Sequence, residues 1–559
     1  MTAVSEGRDE LLASLSADRM IDDVKQVAAT IRLAGDPQEA LAFDYIEGQL
    51  TALGLDVDRA LCDTYISLPG DASLRVLAPE KLEISCITHS MSVSTPPEGI
   101  TGELVALGKG AARDFAGQDI AGKIPVVDSL VSGGVMARAA AAGCSAVVFV
   151  NDDHLHQGIT SSLYGSPNTR TAAELPTTTA ISIVEADGQR LAELLGAGPV
   201  TVRIDASIDT GWRDIPVITA DIMPENGDGT FAFFGTHVDS WEYGGTDNAA
   251  GNAILLEYAR VFSQHRDKLR RGVRVLFWSG HSHGRYAGSC WYVDHHWQEL
   301  YDRAIVAMSI DSPGTKGANA LGGAKVMDEA VGVATQVARY VTGGDVPAPS
   351  RPPGGEQPLW RVGIPSMNPV RSRHNKDSGY SLRFSPTSPW WHHTVDDTVD
   401  KVDPANLLTD AKIYAAAMYE FVASEVLPYD YGAVARAVLD HLRALPPTID
   451  LSKVLAAATD FEKAIDEMDL SDPAAANRRI RLIGRVTIPA LYTLGDGFQP
   501  DTISARGFIP TLRGVGELEG MDPAGFRTHA LRTEMVREAN RLEHALRSAA
   551  EIARGADRP

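Results

Sequence analysis

Histidine and aspartate residues follow several segments of this sequence that are typical of buried strands. They come after FAFFGT, VRVLFWSG and IVAMSI, in the loop GGTDNAAG, or just before TVDDTVDKVD: His237, Asp239, Asp247, His281, His283, Asp311, His392 and His393. Imidazole nitrogen and carboxylate oxygen are the donors of a zinc-type divalent site. A carboxylate can also bridge two ions about 3.5–4 Å apart, an arrangement that activates water.

The elements that must position these residues alternate along the chain. TFAFFGTHVD, GVRVLFWSG and RAIVAMSID have the composition of strands, and helical segments such as NAAGNAILLEYARVFSQH lie between them. This alternation predicts an α/β fold with a doubly wound, mixed but mostly parallel sheet. Such sheets bind ligands beyond the carboxyl ends of their strands. One histidine or aspartate there is more often a cap or a buried polar group, but the whole set favours a metal site.

Changes in composition and hydrophobic pattern divide the chain into three predicted domains. The start reads as helices (IDDVKQVAATIRL, then EALAFDYIEGQLTAL), and short strand-like runs such as LEISCI and CSAVVFV follow. Long amphipathic helices dominate the end, the last of them from about 523 to 554. We predict a metal domain formed by 1–63 with 222–427, a β-rich insert at 64–221, and a helical domain at 428–559.

The composition of the 559-residue chain excludes several classes of protein. Its 51 Lys and Arg against 73 Asp and Glu give a net charge of −22, which argues against nucleic acid or anionic membranes as partners. The four cysteines form no CxxC pair and are expected to be buried thiols. No signal-like segment opens the sequence, and no run approaches the roughly 18 apolar residues of a membrane span. We therefore expect a cytoplasmic protein.

Several segments resemble a known family. GTHVDSWEYGGTDNAAGNAILLEYARVF resembles the hallmark of M28-type metallopeptidases, and AMSIDSPG and HHTVDDTVDKVD are similar to the family's next Asp and closing His segments. DIAGKIPVVD, AAAAGCSAVVFVND and LPTTTAISIVEADGQRL resemble a protease-associated (PA) domain. The segment order, including a helical end with RVTIPALYTLGDGFQPDTISARGFIPTLRGV, resembles the glutamate carboxypeptidase and transferrin-receptor branch.

The resemblance implies a set of roles for these residues. The implied metal ligands are His237, bridging Asp247, Asp311 and His393. His393 is preferred to His392 because of its spacing to Asp396 and Asp397. Asp239 is expected to orient the site without ligating. One or two divalent ions are expected, zinc first and iron or manganese next, together with a homodimer formed through the C-terminal helices.

The chain departs from the family where a Glu-Glu pair should supply the general base and a metal ligand. It reads GHSHGRYAGS there. Aligned on Gly284, His281 takes the base position and Ser282 the ligand position. With a gap before Gly284, His283 takes the ligand position instead. An imidazole in place of a carboxylate favours zinc, iron or manganese over harder ions, and it transfers protons near neutral pH only when it is not a ligand.

Three further residues are candidates for binding substrate. Arg285 suits a substrate carboxylate, and Tyr286 can donate to a developing oxyanion, although packing explains both equally well. Glu356, in PPGGEQPLW, falls in a segment that lines the family's pocket. His295 and His296 are expected on a helix surface.

Three functional hypotheses remain open from the sequence. The first is an M28-type metal-dependent hydrolase acting on a short peptide or small amide, with histidine replacing the glutamate base. The second keeps the metal but performs an elimination on a carboxylate-bearing small molecule. The third is a binding and dimerisation scaffold without catalysis, which the four filled metal positions argue against.

Overall fold

Three helices open the described part of the chain. The computed structural model describes residues 3–351, 357–369, 371–502 and 507–556. The opening helices are α1 (Ala3–Ala13), α2 (Ala17–Val27) and α3 (Pro37–Ala52). Ser16 caps α2, which ends at Val27, earlier than IDDVKQVAATIRL predicts. Beyond this end, the buried guanidinium of Arg32 donates to the backbone carbonyls of Val27 and Val238.

The predicted β-rich insert consists of short strands and helices. In chain order they are β1 (Val57–Ala78), β2 (Leu82–Ile84), β3 (Ile87–Thr88), β4 (Ile100–Ala106), α4 (Ala112–Phe115), β5 (Ile124–Val127), α5 (Gly133–Ala141), β6 (Ala146–Val150), β7 (Thr179–Ile183), α6 (Glu185–Ala197) and β8 (Thr201–Ile222). β4 to β7 are parallel neighbours. Alternate residues of β6 enter two cores, Val148 on the α6 side and Phe149 on the α5 side, as strand geometry requires.

Two long strands connect the insert to the rest of the molecule. β1 and β8 pair antiparallel over nearly their whole length, with a bulge between Pro69 and Ala72. One end of β8 pairs with β4, and its other end pairs with the strand at 272–278. The predicted domain boundaries at 64 and 221 therefore lie inside strands that the two halves share.

The residues that follow β8 form the central layer. The elements are β9 (Phe231–His237), α7 (Ala250–Gln264), β10 (Gly272–Trp278), α8 (Ala287–Arg303) and β11 (Ala304–Ser309). β9 pairs parallel with both β10 and β11, and β10 pairs antiparallel with β8. Every residue of β9, β10 and β11 is buried. α2 and α7 cover one face and α8 the other, so the predicted doubly wound, mostly parallel α/β sheet is confirmed.

Short strands and a helical region complete the chain. They are β12 (Ala320–Gly322), β13 (Lys325–Val326), α9 (Val331–Thr342), α10 (Gln357–Trp360), β14 (Met367–Asn368), β15 (Arg371–Arg373), β16 (Ser381–Leu382), β17 (Ser385–Pro389), α11 (Pro404–Ala423), α12 (Tyr431–Ala444), α13 (Ser452–Asp466), α14 (Pro473–Tyr492), α15 (Gly514–Glu517) and α16 (Phe526–Ala553). Arg485 of α14 donates to the carbonyls of Leu300 and Ala304, so these helices pack on the chain's own sheet domain. Within the described residues, no helix has both the length and the hydropathy to cross a bilayer.

Candidate metal centre and active site

Three parallel strands end at one edge of the sheet and carry polar side chains to it. β9 ends at His237, β10 ends three residues before His281, and β11 ends two residues before Asp311. A donor atom from each of these three side chains lies within 4.8 Å of the other two. The parallel arrangement is the cause, because it aligns the carboxyl ends of the strands.

Asp247 lies between this group and the closing histidines. Its Oδ1 is 3.2 Å from His237 Nε2, and its Oδ2 is 3.0 Å from His393 Nε2 and 3.5 Å from His392 Nδ1. His237 Nε2 is also 3.7 Å from Asp311 Oδ1. Each Asp247 oxygen therefore faces a different set of imidazoles, which suits a carboxylate that bridges two ions.

The donor set fits a divalent metal. His237 Nε2 is buried and makes no hydrogen bond of good geometry, although two carboxylates lie near it. Buried polar atoms normally have a partner, and an ion among these oxygens and nitrogens would supply one. The side chains of Asp311, His392 and His393 are 38, 25 and 28 % exposed. The centre is therefore open to solvent on this side.

A tight loop presents the Asp247 carboxylate. Asp397 accepts from the backbone N–H groups of Thr246 and Asp247, each at 2.9 Å, and from the Thr246 hydroxyl at 2.7 Å. Gly244 has φ 55°, and a Cβ there would lie 2.2 Å from the Asp247 carbonyl oxygen. Arg32 donates to the carbonyls of the same loop, including that of Gly244. The loop conformation is thus fixed by Asp397 and Arg32, two residues from separate parts of the chain, and by the close packing of Gly244.

Asp239 holds the loop that follows β10. Its buried carboxylate accepts from the backbone N–H groups of His281 at 3.1 Å and Ser282 at 2.8 Å. Its oxygens also lie 3.7 Å from His237 Nδ1 and 3.6 Å from His283 Nδ1. Burial opposes ionisation, but the contacts with His237 and His283 outweigh it and lower the pKa of Asp239 below its ordinary range.

His281 and His283 lie in different surroundings. The His281 ring stacks on His237 with centroids 4.0 Å apart, and its buried Nδ1 makes no hydrogen bond of good geometry. The fully buried His283 packs against Trp241, and its Nδ1 accepts from the backbone N–H of Ala34 at 3.4 Å. Of these two histidines, His281 is the one grouped with His237 and Asp311.

Burial also sets the charge of two imidazoles at the centre. It lowers the pKa of His281 to about 4, helped by the nearby His237, and that of His392 to about 3, helped by His393. Burial acts in the same direction on His393, but Asp247 outweighs it and raises the pKa of His393. His281 and His392 are consequently neutral at pH 7, with lone pairs available to a metal or a proton.

Comparison with known proteins identifies the domains. The sequence model of peptidase family M28 matches residues 218–418, and that of the PA domain matches residues 100–191. The chain contains an M28 peptidase domain. The M28 match includes Asp247 and the residues around it, and the PA match lies within the β-rich insert. Those residues are His237, His281, Asp311, His392 and His393. The family resemblance read from the motifs is therefore confirmed.

Relatives match over most of the chain. A probable glutamate carboxypeptidase of Zea mays is 23 % identical over 90 % of this chain and 85 % of its own. Aminopeptidase YwaD of Bacillus subtilis is 25 % identical over 76 % of this chain and 89 % of its own. The solved structure of a zinc aminopeptidase from Bacillus subtilis has a TM-score of 0.55 and 21 % identity, covering 74 % of this chain and 96 % of that one. These relatives and the M28 match support the prediction of a metallohydrolase.

The PA domain contacts the closing segment of the M28 domain. His393 Nδ1 lies 2.9 Å from the Gln157 carbonyl, and the Gln157 N–H donates to the His393 carbonyl, also at 2.9 Å. His156 Nδ1 donates to the His392 carbonyl at 2.7 Å, and its Nε2 lies 2.8 Å from Asp152 Oδ1. Through its two ring nitrogens His156 therefore links Asp152 to the closing segment.

The predicted substrate residues lie at the junction of the two domains. Arg285 donates to the carbonyl of Ile159, and the Tyr286 ring stacks on Tyr164 with centroids 4.9 Å apart. Tyr286 also meets His281 edge to face at 4.5 Å. Both residues have left-handed backbone conformations, with φ 42° and 68°. Glu356 lies outside the described residues.

Sequence reasoning did not find Arg32, the Asp152–His156 pair or the proximity of His392 to Asp247. Each depends on contacts between residues far apart in the chain, 236 positions apart for His156 and His392. No local motif marks such contacts. For His392, the adjacent histidines at 392 and 393 were the only indication in the sequence, and their spacing to Asp396 and Asp397 selected His393 alone.

Proposed function

We propose that this chain is a metal-dependent hydrolase of the M28 aminopeptidase and carboxypeptidase type, cleaving an amide bond in a short peptide or small molecule. The observation that carries the proposal is the Asp247 carboxylate, which has imidazole nitrogens 3.2 Å from one oxygen and 3.0 Å from the other. The peptidase names of the relatives support amide substrates.

We assign His237, Asp247 and Asp311 to one divalent ion, and Asp247 and His393 to a second. Zinc is expected first because the donors are nitrogen and oxygen and because a structural relative is described as a zinc aminopeptidase; iron and manganese remain alternatives. Bound there, such ions would polarise a scissile carbonyl and lower the pKa of a water molecule.

His281 is the residue that we assign to proton transfer, in place of the usual glutamate. Its unpartnered Nδ1 and its stacking on His237 support this role. Asp239 holds the His281 backbone in place and so positions the ring. We assign Arg285 to a substrate carboxylate and Tyr286 to the developing oxyanion.

Turnover of aminoacyl anilides and dipeptides in isotopically labelled water tests the proposal. Hydrolysis places one labelled oxygen in the carboxylate product, whereas an elimination places none. We expect His281→Gln to lower kcat by about 10²–10⁴-fold while metal content stays unchanged. His295→Gln, at an exposed position on α8, is the matched control and should behave as the parent does. Turnover without label would refute hydrolysis, and a fully active His281→Gln would refute the proton-transfer role.

The homodimer implied by the family resemblance stays a prediction. Helix α16 leaves Phe526 89 % and Val536 49 % exposed, apolar area that a second copy would cover. Sedimentation equilibrium tests this directly, since a mass near two chains supports the dimer and a mass near one chain contradicts it.

A further inference from the structure

We propose that His392 is a ligand of the second metal ion, supplying the donor that the sequence lacks at Ser282. This inference rests on the proposed function and specifies one of its two ion sites. The second site is then Asp247, His392 and His393, two imidazoles and one carboxylate. The first site keeps one imidazole and two carboxylates.

The geometry places three donors around one point. Asp247 Oδ2 is 3.0 Å from His393 Nε2 and 3.5 Å from His392 Nδ1. A donor atom from each of the three residues lies within 4.8 Å of the other two. A metal ion bonded to all three donor atoms at about 2.0–2.2 Å requires the donor atoms to be separated by distances of this size.

The other donors of the loop after β10 are not grouped with Asp247 and His393, and His281 is grouped instead with His237 and Asp311. Ser282 gives its backbone N–H to Asp239, and its neutral hydroxyl is not among the donors that zinc prefers. His283 packs beside Trp241 and Asp239. Among the described residues grouped around Asp247 and His393, the third donor is therefore His392.

The backbone turns both closing histidines toward Asp247. Successive side chains of an extended chain point to opposite sides, but His393 has φ 63°, and its ring stacks on that of His392 with centroids 3.9 Å apart. A left-handed conformation is unfavourable for a residue with a Cβ. Such strain concentrates at functional sites, where surrounding contacts maintain it.

The PA domain supplies those surrounding contacts. The Gln157 carbonyl lies 2.9 Å from His393 Nδ1, which leaves Nε2 directed at Asp247. His156 Nδ1 donates a hydrogen bond to the His392 carbonyl at 2.7 Å, and Asp152 Oδ1 lies 2.8 Å from the other ring nitrogen of His156. Outer partners of this kind fix the orientation and tautomer of metal-bound imidazoles. The insert thus positions the segment that completes the second site.

Calorimetric titration of the metal-free full chain with zinc tests the proposal, with cobalt absorption spectra as a second readout. His392→Phe keeps an aromatic ring against His393 but removes both nitrogens. We expect the parent to bind two ions, and His392→Phe to bind the second at least about 100-fold more weakly while the first is unchanged. His392→Asp, which retains a donor, should keep both ions. His295→Phe is the control for replacing a histidine elsewhere.

The outcomes separate this inference from the proposed function. Two ions bound by His392→Phe with parental affinities would overturn the His392 assignment and leave the hydrolase proposal standing. No ion bound by the parent would overturn both. Thermal unfolding in chelator checks the fold, and His392→Ala replaces His392→Phe if that variant unfolds early. Loss of the second ion in a variant with parental unfolding supports the assignment.

Discussion

Replacing Asp239 by asparagine is expected to loosen the loop after β10 and weaken metal binding together. The carboxylate accepts two backbone N–H groups, from His281 and Ser282. The amide keeps one acceptor oxygen and turns an NH₂ group toward the other N–H. One hydrogen bond to a charged group, about 1.5–3 kcal/mol, is lost. About 1.4 kcal/mol changes an equilibrium constant tenfold. The local opening equilibrium, and with it amide hydrogen exchange at these two residues, should therefore increase about 10- to 100-fold.

The same change removes a negative charge beside a predicted metal ligand. Asp239 lies 3.7 Å from His237 Nδ1 and also accepts at that ring through its backbone carbonyl at 2.9 Å. Loss of such an outer partner typically costs about 10–100-fold in metal affinity. Hydrogen exchange of the peptide around 281–282 and zinc calorimetry measure the two effects in one sample.

Asp501 offers a matched control. Its carboxylate also accepts two backbone N–H groups, from Leu494 and Gly495, each at 2.9 Å, within the helical region. Asp501→Asn should accelerate exchange at 494–495 and leave zinc affinity unchanged. Parental zinc affinity in Asp239→Asn, or an equal loss of zinc affinity in Asp501→Asn, would refute this role of Asp239.

Three other changes test separate parts of the structure. Burial raises the pKa of Glu329 to about 8, so the carboxyl of the folded protein keeps its proton up to that pH, whereas the unfolded chain releases it near 4.5. Between these two pH values the parent should therefore lose up to about 1.4 kcal/mol of folding stability per pH unit. Thermal unfolding of Glu329→Gln at several pH values should not show this loss. His156→Ala should weaken the second zinc by about 10–100-fold in calorimetry, and an unchanged affinity would contradict the positioning role. Gly244→Ala should lower metal content because its Cβ meets the Asp247 carbonyl, whereas Gly343→Ala, with φ 69° and open space around it, should not.

The parallel sheet and its strand-end residues could be predicted because both depend on local patterns. Continuous apolar strands such as FAFFGTH must be buried on both faces, and parallel strands end together, which brings His237 near His281. The Asp247 loop was found because GGTDNAAG is a contiguous motif. The role of Asp247 as a bridging ligand was implied by the resemblance to the M28 family.

The remaining features depend on contacts between distant segments. The predicted domain boundaries at 64 and 221 lie inside β1 and β8, because these two strands pair with each other over nearly their whole length. The contact of His156 with the His392 carbonyl joins two domains. Spacing alone selected His393 from the HH pair, and only the fold reveals that both rings lie near Asp247.

Metal content per chain tests the proposed two-ion centre most directly. Elemental mass spectrometry would be applied to the parent and to Asp247→Ala, both purified without chelator, with Asp501→Asn as the control. We expect two divalent ions in the parent and in Asp501→Asn. We expect Asp247→Ala to lose both ions, because the Asp247 oxygens face both groups of ligands. A parent without metal, or an Asp247→Ala variant that retains both ions, would contradict the two-ion centre.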